Sequence, residues 1–318
     1  MNHQTAAAEP AAAAAVAVPE VVAAPALGGP ERPGGRRAAL APVALVVAGA
    51  LSVQFGAAIA VLLMPRAGAL GVVTLRLAAA ALVLLVVCRP KLRGHSRADW
   101  GTVVAFGIAM GGMNTLFYQA ADRIPLGAAV TLEVLGPLAL SVIASRRLVN
   151  VVWAALALGG VVLLSGGGFD RLDPVGAAYA LGAGVMWAAY IVFSARTGRR
   201  FPQADGLALA MVVAALLSLP LGIMDAGSKL LVPATLGLGA AVALLSSVLP
   251  YTLELIALRR LPAPTFAILM SLEPAIAAMA GFLILHQALS LTDALAIALV
   301  IGASMGAVRS QVRGVAKR

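Results

Sequence analysis

Four ionisable residues stand deep inside otherwise apolar stretches of this chain: Arg76, Glu133, Glu254 and Glu273. Placing a charge at bilayer depth costs at least about 2.5–3.5 kcal/mol on insertion scales, so each needs a partner or a water-filled cavity. Four residues after Glu133 comes Pro137, which has no N–H to donate to the Glu133 carbonyl. That one residue therefore offers a carboxyl group and a freed carbonyl beside a kink, a natural ligand for an ammonium group or a proton. Glu273 directly precedes Pro274, which biases it away from helical geometry. Arg76 suits a substrate carboxylate, or a carboxylate of the protein such as Glu133. Glu254 lies close to Arg259 and Arg260, and an interfacial ion pair accounts for it. Gln54, Asn114, Tyr118, Trp187, Tyr190 and Tyr251 fall at mid-depth and are candidates to line a cavity, although aromatic residues at helical spacing are more often core. The candidate substrate ligands are thus Glu133, Arg76 and these six. The candidate coupling and gating groups are Glu133, Glu273 and Glu254 with the breaks at Pro137 and Pro274.

The chemistry that is missing narrows the class. No Gly-x-x-x-x-Gly-Lys-Ser/Thr loop is present to hold ATP phosphates. The three histidines (His3, His95, His286) lie in the amino-terminal tail or at helix ends and form no His-Glu-x-x-His zinc pair. The lone Cys88 permits no disulfide framework or thiolate metal site. No pair of intramembrane aspartates suggests a protease. The sequence predicts no enzyme, no cofactor and no metal, so any work must come from a gradient or from exchange.

The elements that position these groups are membrane helices. Mean hydropathy is +0.98, 61% of residues are hydrophobic and 11% are charged, against about a quarter charged in soluble domains. A bilayer core of about 30 Å takes roughly 20 apolar residues per helix. The pattern predicts ten spans, near 38–62, 69–88, 99–120, 125–145, 150–166, 174–195, 204–223, 233–257, 264–285 and 292–310, joined by short turns with no room for an extramembrane domain. The net charge of +10 would suggest nucleic acid in a soluble protein, but its placement points to a membrane. With the amino terminus inside, eighteen of the 23 basic residues fall in cytoplasmic segments, and only Arg66, Arg123, Arg171 and Lys229 fall outside. This is the positive-inside asymmetry, and it places both termini in the cytoplasm. Residues 1–37, rich in Ala, Pro and Gly, read as a disordered tail, and residues 311–318 as a basic one. Trp100 and Trp153 begin spans and read as interfacial anchors.

The chain also repeats itself. Ile124-Pro125 to Gly136-Pro137 returns 137 positions later as Leu261-Pro262 to Glu273-Pro274, and Gly49-Ala50 to Ala57 aligns loosely with Gly182-Ala183 to Tyr190. The repeats span 38–166 and 174–310. Each holds five helices, an odd number, so the second enters the membrane from the opposite side. The expected fold is an all-α integral membrane protein of ten helices in two inverted five-helix repeats, a transporter architecture in which interrupted helices mark the site. The acids break the symmetry, since Gly136 stands at the position of Glu273 and Met270 at that of Glu133.

Ten helices in two inverted halves resemble the drug/metabolite transporter superfamily, EamA type. Particular strings resemble its threonine and homoserine exporter branch: Leu116-Phe117-Tyr118, Ile124-Pro125-Leu126-Gly127, Leu132-Glu133, Gly136-Pro137-Leu138 and Ser145-Arg146-Arg147 in the first half. In the second half they are Leu249-Pro250-Tyr251-Thr252-Leu253-Glu254, Arg260-Leu261-Pro262 and Leu269-Met270-Ser271-Leu272-Glu273-Pro274-Ala275. The resemblance covers roughly 40–310. It implies proton-driven efflux of small neutral amino acids from a bacterial inner membrane, with substrate, protons and lipid as the only partners. The sequence sets no oligomeric state, and a monomer is consistent with it. Efflux of another metabolite or a drug, such as a purine or an aromatic amino acid, is the alternative; a non-transporting scaffold or receptor fits the short loops poorly. The family often has Gly-Glu where this chain has His286-Gln287. A gating role for that acid must pass to His286 here or be lost.

Overall fold

The computed structural model describes residues 36–145, 148–164, 173–201, 205–250, 253, 257, 261 and 263–315. Tyr251 and Glu254, both candidate site residues, lie outside them. The described residues form helices and turns without strands: α1 (Arg36–Cys88), α2 (Arg97–Ala121), α3 (Leu126–Glu133), α4 (Leu135–Ser145), α5 (Leu148–Leu164), α6 (Pro174–Gly198), α7 (Asp205–Ala226), α8 (Pro233–Ala243), α9 (Ala263–Met270), α10 (Glu273–Leu285) and α11 (Leu291–Val315). A short 3-10 turn, Gly227–Leu231, leads into α8, and a π turn, Leu244–Val248, follows it.

The protein is an all-α membrane protein. Among the described residues, six helical stretches are long and apolar enough to cross a bilayer: Ala41–Cys88, Arg97–Ala121, Pro174–Gly198, Asp205–Leu231, Ile268–Leu285 and Leu291–Arg309. Leu126–Leu140, Val151–Leu163 and Pro233–Ser247 are shorter apolar stretches. Large apolar side chains cover the outside, Met224 at 85% exposure and Val87 and Ile143 at 73% among them, as a lipid-facing surface requires. The core beneath is dominated by Ala, whose small volume lets helices approach where no hydrophobic force drives them together.

The 53-residue α1 is two helices. At Gly68 the backbone turns through φ 65°, ψ 164°, a conformation open to glycine and strained for other residues. Asp225 of α7 accepts from the Leu70 N–H at 3.0 Å and so caps the helix that restarts there. At the far end of that helix Asp205, which begins α7, accepts from the Lys91 N–H at 3.3 Å. Between them the Thr74 hydroxyl donates to the Ser218 carbonyl at 2.8 Å. The second half of α1 is thus fastened to α7 at three heights.

Elsewhere α2 packs on α6 and α7, α5 on α11, the first half of α1 on the π turn, and α3 on both α6 and α10. Gly107 and Gly111 lie against Ala210, Val213 and Ala214 of α7, and Gly112 against Met186 of α6. Trp153, expected as an interfacial anchor, instead lays its indole on Gly306 of α11, with its Nε1 buried. The glycine opens a slot for the ring between α5 and α11.

The closest crossing joins α4 to α6. A side chain at Gly136 would run into the Gly184 backbone, and one at Gly184 would come within 2.6 Å of the Glu133 carbonyl oxygen. Because backbone lies on both sides, neither helix can yield by turning a rotamer. Gly136→Val is expected to destabilise the fold by at least the 1–3 kcal/mol or so typical of overpacking, read as a lower Tm in detergent and a reduced monodisperse yield.

Candidate functional site

The duplicated motif folds twice into the same object. α3 and α9 are eight residues each, separated by 137 positions, and both stop at a break: Val134 in the first copy, Ser271-Leu272 in the second. Val134 N–H still bonds the Val130 carbonyl at 3.0 Å, whereas Leu272 N–H tightens onto Leu269 at 3.1 Å. Packing of α3 on α10 brings the breaks together.

Glu133 ends α3 and Glu273 begins α10, and both are buried, at 8% and 7% exposure. The charges that act on Glu133 electrostatically are Glu273 and Arg76. Three of the residues singled out in the sequence therefore share one region of the interior. Among the described residues the ion pairs are Arg123–Asp122 and Arg200–Asp99, both at helix ends, so neither Arg76 nor either glutamate belongs to one. The Glu133 carbonyl that Pro137 leaves without a donor is covered by Gly184 of α6. It is the carboxyl group, not the freed carbonyl, that this site has to offer.

Arg76 bonds only neutral oxygens. Its Nη1 donates to the Tyr118 hydroxyl at 3.0 Å, its Nη2 to the Ser246 carbonyl at 3.1 Å and its Nε to Ser247 Oγ at 3.4 Å. The guanidinium also lies 5.6 Å from the Tyr118 ring centroid. The Ser246 carbonyl lies in the π turn and has no α-helical donor, because Pro250 four residues on carries no N–H. There Leu249 N–H reaches back five residues to Leu244, and the register shift frees carbonyls that an α-helix would use. Ser52 serves the neighbouring one, donating to Leu245 at 2.6 Å. Nothing in the hydrophobic period marks this turn. The visible signals are the Ser246-Ser247 pair inside an apolar run and Pro250 four residues after Ser246.

The other candidates divide. Tyr118 is fully buried against Arg76. Asn114 donates to the Met110 carbonyl of its own helix at 2.9 Å, and Tyr190 packs on Phe106 with ring centroids 5.2 Å apart; both are buried. Gln54 is buried with its Oε1 unpartnered. Trp187 and Pro137 line a small cavity beside the breaks, and Pro274 is buried next to Glu273. His286 and Gln287 do local work. His286 takes the left-handed position that ends α10, at φ 53°, where glycine is the usual choice. Gln287 Oε1 accepts from the Leu126 N–H at 3.0 Å and so caps α3 from across the interface.

The model of the EamA-like transporter family matches residues 174–309. The threonine/homoserine exporter RhtA of Escherichia coli K12 is 42% identical over 267 residues, covering 83% of this chain and 90% of that protein. The chain belongs to the EamA-like transporter family, on its RhtA-like branch. RhtA of Salmonella typhimurium LT2 matches at the same identity and coverage. An uncharacterised transporter of Bacillus subtilis, YwfM, is 28% identical over 242 residues, 73% of this chain and 81% of its own. A solved crystal structure, 21% identical, shares the fold with a TM-score of 0.52 over 83% of this chain and 96% of that one.

In this EamA-like transporter Tyr118 should matter more than Ser247 to the placing of Arg76. A hydrogen bond to a charged group contributes about 1.5–3 kcal/mol, and the 3.4 Å Ser247 contact is near the limit of one. Tyr118→Phe is expected to lower unfolding stability by that amount and Ser247→Ala by clearly less, compared by thermal melts of the purified proteins.

Proposed function

We propose that the chain is a secondary exporter of small neutral amino acids of the threonine and homoserine class, working by alternating access in the bacterial inner membrane. The observation that carries this reading is a zwitterion's complement inside the membrane. Arg76 is a cation held only by neutral acceptors, and the Glu133 carboxyl lies within its electrostatic reach. The substrate carboxylate displaces the neutral oxygens around Arg76, and its ammonium meets Glu133. A carboxyl group that gives up and regains a proton between Glu133 and Glu273 couples export to the proton gradient. The 42% identity to an exporter named for threonine and homoserine supports the same substrate class.

Ten helices in two inverted halves, with both termini cytoplasmic, is the architecture on which this rests. α1 counts as two spans, while α3 with α4, α8 with the π turn, and α9 with α10 count as one each. Exchanging the halves relates α3 and α4 packed on α6 to α9 and α10 packed on α1, and both sets of contacts occur. Such an exchange is what lets each half adopt the conformation the other held.

Reconstituted in proteoliposomes with an imposed pH gradient, the full chain is expected to release radiolabelled threonine above empty liposomes; no release would remove the amino-acid reading in favour of another metabolite. Arg76→Gln should raise the KM for threonine at least tenfold. Glu133→Gln should abolish the pH dependence of flux, and unchanged pH-driven efflux would remove Glu133 from coupling.

A further inference from the structure

Beside the meeting point of the two helix breaks lies a cavity of about 40 Å³. Val134 and Ser271, equivalent residues of the two copies, both line it; Trp187 and Ile191 of α6 and Ser304 and Val308 of α11 complete the walls. Most of this lining is apolar. The hydroxyl residues on the wall are Ser271 and Ser304, and Ser304 calls for a ligand: it is 8% exposed, and its Oγ is buried with no hydrogen-bond partner among the described residues. A serine in a membrane helix ordinarily bonds the carbonyl one turn back, and leaving a buried hydroxyl unpaired is costly. A guest hydroxyl, reached by rotation about the serine's first side-chain bond, removes that cost.

Size and place agree on the guest. At about 10–15 Å³ per water-sized group, the space admits roughly three such groups. Pro137, on the cavity wall, sits one helical turn from Glu133 on the same face of the broken helix. An amino acid with its ammonium at Glu133 therefore directs its side chain here. We infer that the cavity is the side-chain subsite of the transporter, that it accepts a hydroxylated side chain of three non-hydrogen atoms, and that Ser304 is its specificity-determining partner. This rests on the amino-acid export proposed above.

The deoxy analogue of both threonine and homoserine is 2-aminobutyrate, so the test compares efflux of labelled threonine and labelled 2-aminobutyrate from proteoliposomes holding the full chain. The wild type prefers threonine. In Ser304→Ala that preference falls about tenfold through loss of threonine flux, with 2-aminobutyrate flux retained, because one net hydrogen bond is worth about that factor. Ala307→Leu, which fills the same space, lowers threonine efflux while sparing alanine. An unchanged threonine preference in a Ser304→Ala protein that still exports threonine overturns the subsite and leaves the export reading standing. Absence of threonine efflux from the wild type overturns the export reading, and the subsite with it.

Discussion

In hydrocarbon a backbone group without a partner has no water to turn to, and this requirement organises the molecule. Several interruptions of helices here are answered from elsewhere in the chain. The Gly68 break is capped by Asp225 of α7, the N-terminus of α3 by Gln287 beyond α10, and the π turn by Ser52 and Arg76 of the two halves of α1. The carbonyl exposed by Pro137 is covered by the α6 backbone at Gly184. A broken helix satisfied in this way cannot move alone. Its ends are fixed to neighbours, so the half-helices are positioned as rigidly as unbroken ones while their chemistry faces inward.

That arrangement also explains how a charge persists in the interior. Arg76 has no carboxylate partner among the described residues, and a bare guanidinium at depth is expensive. The π turn lowers the expense by supplying a carbonyl and a hydroxyl, and Tyr118 adds a second hydroxyl and a ring face. Neutral acceptors solvate the cation without neutralising it. An ion pair with Glu133 would have stabilised both groups more deeply and left little for a zwitterion to gain.

Much of this was legible in the sequence, for local reasons. Apolar runs and prolines mark where helices start within a residue or two, while α6, α7 and α11 run three to five residues past their expected ends: α3 begins directly after Pro125, and the two eight-residue half-helices keep the 137-residue offset of their motifs. Arg76, Glu133 and Glu273 stood out because charges are rare in such runs, and the fold gathers them. What failed to show depends on register or on contacts across the bundle. The π turn frees the Leu245 carbonyl without changing composition, and Ser246 went unnoticed although Pro250 four residues on leaves its carbonyl without a donor. Trp153 reads as an anchor by its depth, and only the glycine opposite it, on a helix 150 residues away, makes it a packing residue. His286 and Gln287 both act as caps, which the sequence does not show because one depends on a left-handed turn and the other on a contact with α3.

The asymmetry between the copies has a steric origin. The position occupied by Glu273 in the second half is Gly136 in the first, and the α4–α6 crossing leaves no volume there for any side chain. An acid in the first copy can therefore stand only where the chain still has room, three residues earlier at Glu133, on the near side of its break. The second copy has Met270 at that place, and Met270 lines the cavity beside the breaks. One half thus contributes an acid before its break and the other an acid after it, so the two carboxyl groups approach each other without being symmetry mates. A two-fold-equivalent pair would present a substrate with identical groups from both sides. This pair is unequal in surroundings, with Arg76 acting on Glu133 from the first half alone, and an unequal pair is what a molecule with one ammonium and one carboxylate needs in order to be held in a single orientation.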